Sequence, residues 1–419
     1  MPLSANFITP LAAVLAPPLA LTFPGVLLPA TLAGIGPDVA INVDGGLPVN
    51  YALRGAVYDI SQQPDFHTVT GICTPENEAK GFCKTNPSNY TYYNSFDYPE
   101  YARFQYSSMV PLYLETTEGG GYYGLPNTSG FNVLFYRTDI FEANNWEVPK
   151  TWEDVKLLVT ELQVSNLDFY MPLEGAGSTI FATLLYQKGG QFYREGYKES
   201  AFDTEVSMLA FEDWCSYFTD YSFLLSANFT NRFRTGEMPI GIASYTLFNT
   251  LTVFAPDITG KWAFAPLPGT YREVQNPDGT TETIFDNRGA NGGTAVIIMQ
   301  QSDDYDSSWE FLKWWTSDEI QLKYSQNIES ILGITGRNMT ANVNALSRLS
   351  WNDGDFEILK EQWELANEMP EVPGGYYIPR VVDQAFWNVV GNGKGIEEML
   401  LKWDKVADTE IAEKRSQYN

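Results

Sequence analysis

Short apolar segments alternate with helical segments along this chain, and the alternation predicts an α/β fold. The first example is a helical pattern over residues 27–34, followed by the apolar strand pattern Val39–Val43 and a second helical pattern over residues 50–61. In α/β layers, ligands lie beyond the carboxyl ends of the strands. Asp44 follows the first strand directly, so it is a candidate binding residue, although a role as a turn or cap residue suits it equally.

The alternation continues through the rest of the chain. Thr151 and Asp154 have the spacing of a capping box at the start of a helix. A chain of 419 residues exceeds the usual size of one domain, which predicts two or three lobes with a cleft between them. The other expected elements are strands at 131–137, 238–243, 261–268 and 294–299, helices at 178–190 and 203–221, a hairpin turn at 276–279, and helices beyond residue 307.

Aromatic side chains make up 15% of the residues, with 25 Tyr, 25 Phe and 11 Trp. This is more than two cores require, so some rings are expected on exposed surfaces. Rings that stack on the apolar faces of sugars, together with carboxylates and amides that bind hydroxyls, form a polyol site. For any single ring, a place in a core is the alternative.

The charge balance excludes several classes of partner. The chain has 26 Lys and Arg against 52 Asp and Glu, a net charge of −26. Such a field repels phosphate backbones and anionic lipid surfaces, which argues against nucleic-acid binding and polybasic membrane docking. His67 is the single histidine, so any mechanism that needs an imidazole as base, acid or metal ligand must use that residue. We expect no metal site and no cofactor.

Three cysteines are present, without a CxxC pair or the spacing of a metal site. Cys73 and Cys83 flank a polar segment that a disulfide could close, and two free thiols are the alternative. Cys215 lies in an apolar helical pattern and is expected to be buried.

Two segments depart from the α/β pattern. Residues 1–25 are apolar and interrupted by prolines, and they lack the basic residues that precede a signal peptide's apolar run, so the export signal is atypical or missing. Residues 71–100 are rich in Asn, Pro, Tyr, Gly and Ser, which predicts a long surface loop inserted in the first lobe.

Seven motifs, in order along residues 26–419, resemble the extracellular solute-binding proteins of ABC importers, of the maltose-binding type. Each motif alone is weakly specific, but together they cover almost the whole chain. They are Gly36–Ile41, Tyr123–Pro126 with Leu134–Arg137, Val148–Val155, Arg234–Gly241, Trp309–Tyr324, Val372–Tyr377 and Glu410–Arg415.

The resemblance implies an α/β, two-lobed periplasmic-binding-protein-like fold of type II. It implies an N-terminal lobe of residues 26–128 and 290–334 and a C-terminal lobe of residues 129–289 and 335–419. Strands that cross between the lobes near residues 126–131, 285–292 and 332–337 would act as a hinge. Closure of the lobes around a ligand would produce the state that an importer recognises.

The resemblance also implies which residues face the cleft. Carboxylates and amides would bind sugar hydroxyls, tyrosines would stack or donate, and an arginine would bridge a carboxylate and the ligand. For the Asp and Asn positions a turn or cap is the alternative, and for the Tyr positions a lobe core is. The candidate ligand-binding residues are Asp44, Asn127, Thr128, Glu174, Tyr245, Asn291, Tyr376 and Arg380.

The predicted function is capture of a sugar or oligosaccharide and its delivery to ABC transporter permease subunits at the membrane, by an extracellular or cell-envelope protein that is monomeric and not an enzyme. A glycoside hydrolase is the alternative, because a cleft rich in rings and carboxylates also suits two-carboxylate hydrolysis. A binder of a peptide or another non-sugar solute is a third possibility.

Overall fold

The computed structural model describes residues 23–64, 66, 70–72, 83–85, 91–94, 104, 106–116, 119–173, 177–276, 279–351 and 353–418. Within these ranges the chain forms a mixed sheet flanked by helices. The helices are α1 Phe23–Leu32, α2 Leu47–Ala52, α3 Thr138–Asn144, α4 Trp152–Val164, α5 Gly177–Gln187, α6 Glu205–Thr219, α7 Phe229–Thr235, α8 Leu247–Phe254, α9 Tyr305–Trp315, α10 Asp318–Leu332, α11 Val343–Leu346, α12 Asp353–Glu364, α13 Ile378–Phe386 and α14 Ile396–Tyr418.

The strands form one large sheet and three small ones. The large sheet has the order β1-β13-β7-β9-β8, with β10 paired to β7 and β14 paired to β13. The strands are β1 Val39–Asp44, β2 Thr70–Ile72, β3 Cys83–Thr85, β4 Thr91–Asn94, β5 Tyr113–Thr116, β6 Gly119–Tyr122, β7 Leu125–Tyr136, β8 Phe169–Tyr170, β9 Ile240–Ser244, β10 Ala263–Ala265, β11 Thr270–Gln275, β12 Thr281–Asp286, β13 Gly289–Ile298 and β14 Ala366–Asn367.

Two long strands pass through both halves of the molecule. The first part of β7 pairs with β13, from Leu125 opposite Val296 to Phe131 opposite Asn291. The second part of β7 pairs instead with β9 and β10. At the other end of β13, Gly289 and Ala290 pair with β14. Both strands therefore cross from one half of the sheet to the other.

Each end of these strands lies in a separate apolar core. The first core surrounds Leu125 and the segment Ala295–Met299, and it includes Trp309 of α9. Beyond the crossing, side chains of β7 alternate between two clusters, because successive residues in a strand point to opposite faces. Leu134 packs with α4, α5, α6, α13 and α14, whereas Val133 and Phe135 pack with α7, α8 and α12. The second half of the molecule is thus a sheet with helices on both faces.

A third segment runs beside β7 at the crossing. The Ser129 amide donates to the Met339 carbonyl at 2.8 Å, and the Ala341 amide donates to the Asn127 carbonyl at 3.0 Å. This pairing lies a few residues beyond the expected segment 332–337. Three chain segments therefore connect the two halves at one place.

Several local predictions are confirmed. Thr151 and Asp154 form a complete capping box at the start of α4. Strand β1 and helices α5 and α6 lie within three residues of their expected bounds. The strands β11 and β12 pair on either side of the hairpin turn expected at 276–279, of which residues 277 and 278 lie outside the described residues. Cys215 is buried.

Two element predictions are wrong. The helix expected over residues 50–61 ends at Ala52, because Gly55 adopts a φ of 68° and Asp59 then caps a separate 3₁₀ turn at Ile60–Gln62. The strand expected to start at Phe131 starts at Leu125. The sequence does not reveal this earlier start, because residues 127–130 are polar or glycine and do not show a strand pattern. Pairing with β13 decided the start of β7, whereas Gly55 ends the helix locally.

The described parts of residues 70–94 form a three-stranded sheet of order β2-β4-β3. Cys73 lies outside the described residues, so its pairing with Cys83 stays a prediction. No helix in the described ranges is long and apolar enough to cross a membrane.

Adjacent glycines in β13 provide a test of the crossing. A Cβ on Gly293 would lie 2.0 Å from the Thr128 carbonyl oxygen of β7, whereas a Cβ on Gly292 would meet nothing within 4 Å. We expect Gly293→Ala to lower the free energy of unfolding by about 2 kcal/mol or more, because backbone atoms must move. Gly292→Ala is the matched control and should change it by less than about 1 kcal/mol in urea unfolding. Equal effects of the two substitutions would contradict the close packing of β7 on β13.

Candidate binding site

A cavity of about 660 Å³ lies between the two halves of the molecule, next to the crossing strands. One wall comes from the first half, in the segment that leads into β5 and β6. The opposite wall comes from the end of α5, the hairpin β11–β12, the segment after β14, and α14. The lining residues are Met109, Val110, Tyr113, Leu114, Glu115 and Tyr122 on the first wall, and Tyr186, Gly189–Tyr193, Tyr197, Arg272, Arg288, Asn367, Glu368, Pro370–Pro373 and Arg415 on the second.

Tyrosines from both walls face this cavity. Tyr113 and Tyr122 belong to the first wall, with ring centroids 5.1 Å apart, and Tyr193 and Tyr197 belong to the second, with centroids 6.2 Å apart. Tyr186 follows on the last turn of α5. Such rings offer flat apolar faces next to hydroxyl groups, a combination that suits a ligand with both apolar faces and polar edges.

Several buried polar atoms of the lining residues have no hydrogen-bond partner within the described part of the chain. Tyr186 and Tyr193 are 7% and 3% exposed, and both lack a partner for the hydroxyl. The same is true of Arg272 Nη2, Glu371 Oε2 and Arg415 Nε. A buried polar group without a partner costs about 1–3 kcal/mol, so a concentration of them at one cavity indicates a polar ligand.

A buried aspartate fixes two arginines of the second wall. Asp286 is fully buried and accepts from Arg272 Nε at 2.9 Å and from Arg288 Nε at 2.9 Å. Gln187, also fully buried, donates to the Arg288 carbonyl at 2.9 Å and to the Pro268 carbonyl at 2.9 Å. These contacts hold the base of the β11–β12 hairpin against α5, so the guanidinium groups are positioned before a ligand binds.

A group of carboxyls occupies the other end of the cavity. Burial, with a smaller contribution from the nearby Asp44, raises the pKa of Glu368 to about 8, although a hydrogen bond with Ser108 acts in the opposite direction. Burial also raises the pKa of Glu371 well above its usual range, again with Asp44 and Glu368 contributing. Asp44 belongs to the first half of the molecule, so this group spans the cleft. At neutral pH the carboxyl of Glu368 is therefore mainly protonated and can donate a hydrogen bond, and the burial of Glu371 favours its protonated form.

The residues expected to bind ligand fall into different places. Asn127, Thr128 and Asn291 lie in the crossing strands. Asn127 uses its amide group to contact Asn42 at 2.5 Å and Trp315 at 2.7 Å, and Thr128 contacts Thr294 at 2.8 Å. Asn291 donates to Glu368 at 2.9 Å and so connects the crossing to the cavity.

The remaining candidates lie apart from one another. Tyr245 is 3% exposed and packs on Phe131 inside a core, with ring centroids 4.7 Å apart. Tyr376 and Arg380 are exposed; the Tyr376 hydroxyl donates to Glu410, and the Arg380 guanidinium lies 5.3 Å from the Tyr377 ring. Glu174 lies outside the described residues. A ligand-binding role for each of these eight residues stays a prediction.

None of the candidate residues that the structure describes lines this cavity. Tyr186 lies in the helix predicted at 178–190 and Tyr193 follows it, where a core position is the ordinary interpretation. Arg415 ends the Glu410–Arg415 motif but is not among the candidates. Glu368 and Glu371 directly precede the Val372–Tyr377 motif, which is the one signal that could have located them. Among the described residues, no group of three or more His, Cys, Asp or Glu is arranged to hold a metal ion.

The comparisons with known proteins agree with this geometry. Residues 27–345 match the sequence profile described as bacterial extracellular solute-binding protein. The chain belongs to that family. A comparison with curated proteins finds no match.

Solved structures show the same two-lobed fold as this solute-binding protein. The sugar-binding protein MalE from Xanthomonas citri matches with a TM-score of 0.68 and 18% identity, over 94% of this chain and 88% of that one. A solute-binding protein from Thermotoga lettingae, bound to α-D-tagatose, matches with a TM-score of 0.64 and 19% identity, over 93% and 89%. A substrate-binding protein from Listeria monocytogenes, in complex with cycloalternan, matches with a TM-score of 0.62 and 16% identity, over 91% and 87%.

The raised pKa of Glu368 predicts how the stability of the solute-binding protein depends on pH. Between pH 4.5 and about 8 the native carboxyl keeps a proton that the unfolded chain has released, so stability falls as the pH rises. We expect the free energy of unfolding to fall by about 2 kcal/mol or more between pH 5 and pH 8. Glu368→Gln keeps an acceptor for Asn291 and should reduce that fall.

The control for this prediction is Glu397→Gln, at an exposed position on α14. Urea unfolding curves at several pH values compare the three proteins. An identical pH dependence in wild type and Glu368→Gln would contradict a protonated Glu368 in the native state.

Proposed function

We propose that this solute-binding protein captures a saccharide in the cavity between its lobes and delivers it to the permease subunits of an ABC transporter. The observation that carries the proposal is the combination of tyrosine rings from both walls with buried hydroxyl, guanidinium and carboxyl groups that have no partner in the described part of the chain. The proteins of similar fold include binders of tagatose and cycloalternan, which supports a saccharide ligand.

The proposed lobes are residues 26–128 with 290–334 and residues 129–289 with 335–419. The proposed hinge is the crossing of β7, β13 and residues 339–341, because the polar contacts of Asn127, Thr128 and Asn291 lie between the two sets of cores. Asp44 Oδ1 and Glu371 Oε1 both lie on the side of Gly46 that a Cβ would occupy. The two carboxyls are therefore neighbours, and Asp44 belongs to the proposed site. A ligand that contacts both walls would favour the closed arrangement.

The proposal describes a monomeric extracellular protein that binds without catalysis and reaches the membrane through its transporter. Support comes from a family of binding proteins and from neighbours that are named as binding proteins. A hydrolase would release products from an oligosaccharide, so incubation followed by mass spectrometry separates the two functions. Product formation that depends on Glu368 or Glu371 would contradict the proposal.

Binding and closure can be measured on the same protein. A thermal-shift screen of mono- and oligosaccharides, short peptides and divalent cations identifies the ligand class, and calorimetry gives the affinity. Small-angle scattering should then show a smaller radius of gyration with the bound saccharide. Stabilisation by peptides or cations alone would contradict a saccharide site.

Tyr193→Phe removes one buried hydroxyl and leaves the ring. We expect it to weaken saccharide binding by about 1–2 kcal/mol, because the hydroxyl has no partner other than the ligand among the described residues. Tyr271→Phe is the matched control, since Tyr271 is 65% exposed and does not line the cavity. Calorimetry on both variants gives the comparison. An unchanged affinity in Tyr193→Phe would place the ligand elsewhere.

A further inference from the structure

We propose that the saccharide bound by this protein is acidic, and that its carboxylate lies against Arg415 and Tyr193. This inference rests on the proposed function and specifies the class of sugar: one that carries a uronic acid.

Arg415 is a cation without a carboxylate partner among the residues that the structure describes. It lies on α14, and its Nη2 donates to the Tyr197 carbonyl at 2.6 Å. Its Nε is buried and has no hydrogen-bond partner, and no carboxylate of the described residues lies within 4.0 Å of the guanidinium. A guanidinium cannot lose its proton at physiological pH and has no acceptor atom. The group that completes this site is therefore an acceptor, and a negatively charged acceptor is favoured.

The groups around Arg415 do not neutralise its charge. Glu371 and Arg415 both lie near enough to Tyr193 to affect the pKa of its phenol, although burial is the main cause of that raised pKa. Burial also favours the protonated form of the Glu371 carboxyl, because it raises the pKa of that group. Glu115, another acid at this cavity, is exposed, so solvent screens its charge. The charge of Arg415 is thus not paired with a carboxylate of the described residues.

The neighbouring donors fit a planar carboxylate. The Tyr193 hydroxyl is buried and has no hydrogen-bond partner among the described residues. The same is true of Glu371 Oε2. A carboxylate has two oxygens and accepts from a guanidinium and a hydroxyl together. One guanidinium balances the single charge of a carboxylate better than the double charge of a phosphate. Arg272 Nη2 supplies another unpartnered donor on the same wall, and the tyrosine rings remain for the sugar ring.

The test compares acidic sugars with neutral analogues of the same shape. Calorimetry on the full chain uses digalacturonate against its dimethyl ester, and cellobiouronate against cellobiose. We expect the acid to bind at least tenfold more tightly than its neutral analogue in at least one pair. In that pair, Arg415→Gln should remove the preference, and Arg415→Lys, which keeps the cation, should retain part of it.

Arg234→Gln is the matched control, because Arg234 forms an ion pair with Asp257 outside the cavity. It should keep the wild-type preference for the acid. Melting temperatures of all variants show whether Arg415→Gln is folded. If Arg415→Gln does not fold, the test uses Arg415→Lys instead. Tighter or equal binding of the neutral sugars would overturn the acidic-sugar inference and leave the proposed function standing. Failure of every mono- and oligosaccharide in the screen, acidic and neutral, would instead overturn the proposed function.

Discussion

Strands β7 and β13 are hydrogen-bonded to each other while each passes from one set of apolar cores to the other, and the arrangement of the molecule depends on that pairing. Leu125 and Ala295 lie in the first core, whereas Phe131 and Ala290 lie beyond the crossing. Apolar burial anchors both ends of each strand. The residues between the ends are polar or small, so motion between the lobes is concentrated in a short stretch of backbone.

The polar residues of the crossing and the cavity have different tasks. Asn127, Thr128 and Asn291 find partners within the protein, and those contacts fix the register of the strands. The hydroxyls of Tyr186 and Tyr193 and the Nε of Arg415 lack such partners among the described residues. Burial of these atoms is unfavourable in the isolated protein and is offset when a ligand supplies hydrogen bonds. The protein therefore gives up some stability for recognition.

The sequence predicted the fold class well because local signals and tertiary structure agree over most of the chain. The capping box at Thr151 and the apolar strand at Val39–Val43 depend on neighbours in sequence. The short helix α2 ends before Gly55, whose positive φ breaks the helical path locally. The early start of β7 does not follow from neighbours in sequence, because β13 recruits Leu125–Gly130 into the sheet. Long-range pairing overrides local preference at such places.

The site was harder to predict than the fold, since its residues come from distant parts of the chain and their types are common in cores. Tyr186 and Tyr193 resemble core tyrosines in sequence, and only their position at the cavity distinguishes them. Family resemblance pointed to Asn127 and Asn291, which hold the crossing together, and to Tyr245, which lies in a core. The charge state of Glu368 depends on its burial at the cleft by residues that are distant in sequence. No local sequence pattern predicts such burial.

The position of Arg415 on α14 has a consequence for biosynthesis. A ribosome releases the chain from the amino terminus, and domains generally fold in that order. The first wall of the cavity, with Tyr113 and Tyr122, leaves the ribosome about 300 residues before Arg415 does. The cavity therefore acquires its complete set of polar groups only after residue 415 has emerged. A ligand that contacts Arg415 cannot guide the early steps of folding, and can only stabilise a protein whose two lobes have already formed.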